Sequence, residues 1–289
     1  MSTSLPTVPL DPARFVSASQ VLAAIAAVRD LPACAPAVVR ALSCLEHSDF
    51  SVHDLKEALL SDPAIAARVL RLANSAYFGF RSEVQTVSQA VVLMGQARIR
   101  TLLHRILADR LLLQLGFTRY SEVRQMSLAT ATASCLLSQL LARDDAEEML
   151  LAGLLHNIGE LFYLAKFPAY HEQVRERKAG ADAFGVSCWQ AGRLLLEAWN
   201  FPRLFPTVAQ FCEDPLASAC PLEYRLPVWL VHAGRRLAQV HLTGRPAQCA
   251  LEIPPVVREA CHLDDQMTRE ILDSLPRRLS LEQLQAARA

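Results

Sequence analysis

The sequence predicts an all-α protein, and three observations carry that expectation. Around Val87, Val91 and Met94, then Ile99, Leu102, Leu103, Ile106 and Leu107, apolar residues recur at three- and four-residue steps. Runs of alternating apolar and polar residues are almost absent. So are the Asn-Gly and Asp-Gly dipeptides that close tight hairpins.

The elements follow in order from local chemistry. Leu31-Pro32 precedes an apolar helix. Ser51 with Asp54 opens another, which stops before Asp62-Pro63. That pair caps the next helix, with proline in the first turn, where a missing N–H costs nothing. This helix runs through Ile65, Val69, Leu70 and Leu72 and ends at Asn74-Ser75, with Asn74 expected as a C-terminal cap in left-handed geometry. Tyr77-Phe78-Gly79-Phe80 reads as a loop that folds its aromatics back on the core. Gly95 separates the Val87–Met94 helix from a longer one reaching about Leu115. Gly116 to Ser121 reads as a hinge between two lobes, with Ser121 capping the helix that follows. Further helices are predicted near 122–141, 145–156, 187–199 and 222–240. Shorter ones are expected over 241–289, broken at Gly244, Pro246, Pro254 and Pro255. The Pro- and Ser-rich start, up to about Ser17, is expected to be loosely ordered.

Composition limits the function classes. The chain has 289 residues, of which 52% are hydrophobic and 20% charged, which excludes a disordered polypeptide. Its 29 basic and 29 acidic residues cancel, so no global field draws it to nucleic acid or an anionic membrane. The N-terminus lacks the pattern of a secretory signal. No run of about 18 apolar residues suggests a membrane span, and the expected location is cytoplasmic. The eight cysteines contain no Cys-x-x-Cys pair and read as free buried thiols.

Several segments, taken in order, resemble one family. They are Leu31-Pro32, then Ser61-Asp-Pro-Ala-Ile-Ala-Ala-Arg-Val-Leu-Arg-Leu-Ala-Asn-Ser75 and Val87-Ser-Gln-Ala-Val-Val-Leu-Met-Gly95. Gly153-Leu-Leu-His-Asn-Ile-Gly159, Phe184-Gly185 and Trp199-Asn-Phe-Pro202 complete the set. Over roughly residues 24–218 the chain resembles the HDOD family, degenerate relatives of the HD and HD-GYP phosphohydrolases. The resemblance implies an N-terminal helical lobe over about 24–116 and an HD-like lobe from about 121. Residues 1–23 would form a partly disordered segment, and 219–289 would complete the HD-like lobe.

The resemblance also implies what is missing. An HD enzyme pairs histidine with aspartate to hold divalent metals, whereas His156 is followed by Asn157, a neutral amide. Met126 stands where such an enzyme would place its first histidine ligand. Cys188 falls at another histidine position, and Gly234 at that of a late aspartate. Val208-Ala-Gln-Phe-Cys212 lacks the expected histidine pair. Hard cations need carboxylates among several fixed donors, so catalysis and a metal cofactor are not expected. No Gly-x-Ser-x-Gly, phosphate-cradling glycine loop or His-Glu-x-x-His replaces the lost shell. A softer zinc site from His156, Cys188, Cys212 and His232 is the minor alternative.

The bland readings of the remaining features are structural. Gly153 and Gly159 suit close helix packing or a sharp stop at the His156-Asn157 corner. Trp189, Trp199 and Trp229 are expected to fill the core of the second lobe. Arg98 and Arg105, a heptad apart, share a helix face that is expected to be solvated rather than bound to nucleic acid. With Asn74 they form the candidate interaction surface. The expected function is regulatory. Partners would be signalling proteins acting in trans, from two-component or cyclic-dinucleotide pathways. They or a small ligand would bind in the cleft between lobes or over the former metal site. A residual metal-dependent phosphohydrolase and a nucleotide or nucleic-acid binder using the arginines are the alternatives.

Overall fold

A computed structural model describes residues 17–29, 36–46, 51–74, 83–168, 185–244 and 253–287. Among the described residues every regular element is helical. Leu31-Pro32, Ser75, Tyr77–Phe80 and Phe184 lie outside them, as do the first residues of the chain. The chain divides into two compact units. One spans Leu31–Leu113; the other takes everything from Gln114 onward together with the helix before Leu31.

In the N-terminal unit the helices are α2 (Pro36–Glu46), α3 (Val52–Leu60), α4 (Pro63–Ala73) and α5 (Val87–Gln114). Their ends follow the expected chemistry. The Ser51 hydroxyl accepts from the Asp54 amide at 3.3 Å and opens α3. An Asp62 carboxylate oxygen accepts from Ala64 and Ile65 at 2.9 and 3.3 Å and opens α4 behind Pro63. Leu45, Leu55, Leu59, Ile65, Val69, Ile99, Leu103 and Ile106 form the core. At roughly 2 kcal/mol for each large aliphatic side chain, that burial is the main force holding the unit together. An ion pair from Arg68 to Asp109 ties α4 to α5. Gly95 breaks α5 with φ 75° and ψ 168°, a conformation that side chains with a Cβ avoid.

The C-terminal unit is built around α6 (Ser121–Leu140), a 20-residue helix that is buried along most of its length. Around it lie α7 (Ala146–Leu155), α8 (Ile158–Lys166), α9 (Cys188–Ala198), α10 (Leu204–Phe211), α11 (Arg225–Thr243), α12 (Pro255–Ala260) and α13 (Asp265–Ala287). Helices α7, α11 and α13 pack directly on α6. Close approach is possible because α6 is rich in small residues, some of whose hydroxyls bond back to the helix. Thr132 and Ser134 donate to the carbonyls of Leu128 and Thr130 at 2.9 and 2.8 Å.

Helix α1 (Ala18–Arg29) belongs to this unit, with Val21 and Ile25 buried and the helix packed on α9. The grouping differs from the lobe expected over 24–116, because an amphipathic helix joins whichever core covers its apolar stripe. Three local expectations also change. Ser121 is the first residue of α6 rather than its cap; Tyr120 stands at the cap without a side-chain bond. Helices α8 and α10 were not separately foreseen; only His156 and Asn157 divide α7 from α8, within one apolar run. Residues Asp265–Ala287 form one helix that continues through Pro276, in place of shorter pieces.

Candidate functional site

Helix α7 begins with Glu147 and Glu148 in its first turn, where negative charge suits the helix dipole. It then buries every residue from Met149 to Leu155. That apolar run carries the next two residues into the core: His156 is 1% exposed and Asn157 is 3% exposed. Asn157 caps α8 by its backbone at φ −110°, and the chain turns there.

His156 donates from Nδ1 to the Gly153 carbonyl at 2.7 Å. Its Nε2 is buried and meets no hydrogen-bond partner among the described residues. Burial, and then the positive charge of Arg235, push its pKa down to about 3, against a smaller upward pull from the Gly153 carbonyl. The ring is therefore neutral at ordinary pH, with a lone pair on Nε2. Asn157 is engaged at both ends of its amide. Its oxygen accepts from the Ser127 hydroxyl at 2.7 Å, and its nitrogen donates to the Val123 carbonyl at 3.4 Å.

The other positions that the family resemblance assigns to ligands do not converge on this corner as donors. Ser127, rather than Met126, faces Asn157; Met126 is half-buried one residue along α6. Gly234 abuts α6 so closely that a Cβ would lie 2.4 Å from the Ser134 hydroxyl. Cys188 opens α9, and its carbonyl would stand 1.8 Å from a Cβ on Gly159. A Cβ on Gly153 would lie 2.6 Å from Cα of Ala131. These glycines serve helix-to-helix contact, as expected for Gly153 and Gly159; for Gly234 it is a finding of the structure.

Three of the four soft donors do meet, though largely through the backbone. The Cys212 thiol donates to the His156 carbonyl at 4.0 Å, and His232 Nδ1 donates to the Cys212 carbonyl at 2.7 Å. Burial raises both the Cys188 and the Cys212 thiols to about 12, so both are protonated at ordinary pH. Among the described residues no three His, Cys, Asp or Glu side chains are placed to hold a metal ion. The residues present do not fit the two-metal cluster that an HD frame implies. Position 157 has no charge to bridge cations, and position 234 has no side chain and no room for one.

Next to this corner stands a charged group that sequence reasoning missed. Arg235 pairs with Glu213, and its guanidinium lies 5.4 Å from the centroid of the Trp189 ring. Arg236 approaches the same carboxylate at 3.5 Å. The two arginine side chains are 20% and 13% exposed and Glu213 is 37% exposed, so the carboxylate is the outer partner. Trp189 is thus a platform for a cation, while Trp199 is core as expected. Half-buried Trp229 donates to the Pro215 carbonyl at 2.9 Å. The available signal was the doubled arginine directly after Gly234, with Glu213 directly after Cys212.

The remaining candidates lie in the N-terminal unit. Asn74 does not adopt left-handed geometry. Its side chain is a clip: the amide nitrogen donates to Leu70 and Val84 carbonyls at 3.0 and 2.8 Å, and its oxygen accepts from the Val84 amide at 2.7 Å. Arg98 is exposed and Arg105 half-buried on α5. Their neighbour Arg100 turns to the Leu45 carbonyl at 3.5 Å.

Comparison with known proteins places this arrangement. Residues 31–215 match the HDOD domain. An HDOD domain protein with unknown function from Geobacter sulfurreducens shares the fold with a TM-score of 0.61 at 22% identity, over 93% of this chain and 96% of that one. A protein from Shewanella amazonensis SB2B, provisionally described as a phosphohydrolase, aligns with a TM-score of 0.59 at 24% identity, over 91% and 95% of the two chains. A provisionally described signal transduction protein from Marinobacter aquaeolei VT8 aligns with a TM-score of 0.58 at 21% identity, over 94% of this chain and 67% of that one. A curated but uncharacterized protein of Treponema pallidum (strain Nichols) is 24% identical over 189 residues, spanning 61% of this chain and 36% of that relative. At these identities the likeness to the solved structures is one of fold.

Proposed function

The chain belongs to the HDOD domain family, and from that premise we propose that it is a non-catalytic regulatory protein working by binding. The observation that carries this reading is the state of the former ligand positions. The Asn157 amide is closed onto Ser127 and Val123, and the place of a side chain at Gly234 is taken by Ser134. A pair of divalent cations requires several fixed oxygen or nitrogen donors, with carboxylates among them. This corner offers one free imidazole nitrogen and a neutral amide already in use.

Binding is expected on the face where α9 and α11 present Trp189, Arg235 and Arg236, beside the His156 corner. The partners are signalling proteins acting in trans in the cytoplasm, in two-component or cyclic-dinucleotide pathways. No described helix is long and apolar enough to cross a membrane. The provisional phosphohydrolase description of the Shewanella protein keeps hydrolysis as the reading to test against.

The test is turnover of nucleotides and cyclic dinucleotides by purified protein supplied with manganese, iron or zinc. The expected result is no hydrolysis above that of His156→Ala, with both proteins shown to be folded by circular dichroism. Metal-dependent hydrolysis that His156→Ala abolishes would make the protein an enzyme and end the proposal.

A further inference from the structure

Two buried hydrogen-bonding atoms beside the His156 corner have complementary needs. His156 Nε2 is an acceptor without a donor, since Nδ1 holds the proton given to Gly153. Arg235 Nε–H is a donor, likewise buried and without an acceptor among the described residues. Both belong to one neighbourhood. The Cys212 thiol touches the His156 backbone, and Glu213, the next residue, carries the carboxylate paired with Arg235. Leaving such atoms unsatisfied is costly, so a site of this kind favours a guest that supplies the missing partners.

The charges select the guest further. Two guanidinium groups share one carboxylate, and that carboxylate is more exposed than either arginine. The arrangement is a pair of planar donors facing one carboxylate, with Arg235 lying over the Trp189 ring at 5.4 Å. An ionised carboxylate guest would merely repeat what Glu213 does and would give His156 Nε2 nothing, because it has no O–H. A hydrogenphosphate ion carries several anionic oxygens for the arginines and one hydroxyl for the imidazole.

We propose that Arg235, Arg236 and His156 form a hydrogenphosphate-binding site on the Trp189 platform, with Glu213 as a built-in competitor that the ligand displaces. The proposal rests on the reading that this face binds rather than hydrolyses, and it names the ligand class for it. Entry of the ion exchanges one charge-assisted pair for another, and Glu213 swings out to solvent. Occupancy thereby changes the outward charge of the face, which gives a partner something to read.

The experiment is a titration of full-length protein with inorganic phosphate at constant ionic strength, followed by phosphorus-31 line broadening and by tryptophan emission. Acetate serves as the carboxylate comparator. Saturable phosphate binding, with acetate at least about tenfold weaker, is expected. Glu213→Gln removes the competitor and should tighten phosphate binding about tenfold, whereas Arg235→Lys should weaken it about tenfold by losing the planar fork. Arg98→Ala, in the other unit, should change nothing. If Glu213→Gln does not fold, wild-type broadening and its loss in Arg235→Lys decide the matter. No saturation in wild type, equal affinity for acetate, or indifference to Arg235→Lys would each overturn the site. None of these results bears on hydrolysis: absence of phosphate binding leaves the non-catalytic reading standing. Metal-dependent turnover defeats that reading whether or not phosphate binds.

Discussion

Gly95 in the N-terminal unit and the glycines at the His156 corner of the C-terminal unit serve opposite purposes. In the N-terminal unit, a Cβ on Gly95 would meet nothing within 4 Å, and the residue is needed for its backbone angles. In the C-terminal unit, Gly153, Gly159 and Gly234 leave no space for a Cβ against neighbouring backbone or hydroxyl. One unit needs a bend in a long helix; the other needs helix axes brought close at the His156 corner. The difference teaches where a helical face can be rigid. Backbone held against backbone has no rotamers to relax, so the donors beside it keep fixed positions.

The largest effect that separates the two uses is Gly159→Ala. With the Cys188 carbonyl only 1.8 Å from the new methyl, α8 and α9 must part, at a cost on the order of 3 kcal/mol or more. Gly95→Ala meets no atom and should cost about 1–3 kcal/mol, all of it local backbone strain. Urea unfolding of both variants measures this, and a Gly95→Ala penalty equal to that of Gly159→Ala would erase the distinction.

Acid probes the units next, through His104 in one and His156 in the other, both buried and held in the neutral form. Burial is the leading cause in both: His104 falls from 6.5 to about 4, with Arg100 adding to the shift, and His156 falls from 6.5 to about 3. Below about pH 6.5 the unfolded chain takes up protons that the folded chain refuses. Stability is therefore complete above that pH and declines as pH falls toward the folded values, by roughly 1.4 kcal/mol per pH unit for each histidine. Unfolding at pH 7 and pH 5 should differ by about 2 kcal/mol per histidine. The margin should narrow in His104→Gln for the N-terminal unit and in His156→Gln for the C-terminal one. Stability unchanged between the two pH values would show that neither ring is held neutral.

The smallest effect sharpens the contrast on the side of the N-terminal unit. Asn74→Ala removes three hydrogen bonds from a side chain at the edge of the unit and should cost about 1–2 kcal/mol. Amide hydrogen exchange would register the loss as faster exchange at Val84, with the His156 corner unchanged. Faster exchange at both places would mean that the units do not respond independently.

Much of the fold was legible because its determinants are local. Ser51, Asp62-Pro63 and Gly95 act within a few residues of themselves, and the structure places each where the spacing required. The His156-Asn157 corner was legible through the motif around it. What escaped is non-local. Glu213 and Arg235 meet across 22 positions, with no periodicity linking them. Trp189 read as core because an indole on a helix most often is, yet an arginine covers its face. Asn74 reaches Val84 ten positions on, and neither residue type announces a clip. The split between α7 and α8 was hidden by the apolar character of both, which obscures a two-residue turn.

The contact between Gly234 and Ser134 has a consequence for redesign. An aspartate introduced at 234 would arrive where a hydroxyl already sits 2.4 Å from the first side-chain atom. It could be tolerated only if α6 lost that serine or α11 moved outward. A carboxylate at this spot therefore demands matched changes on two helices, which no single substitution supplies.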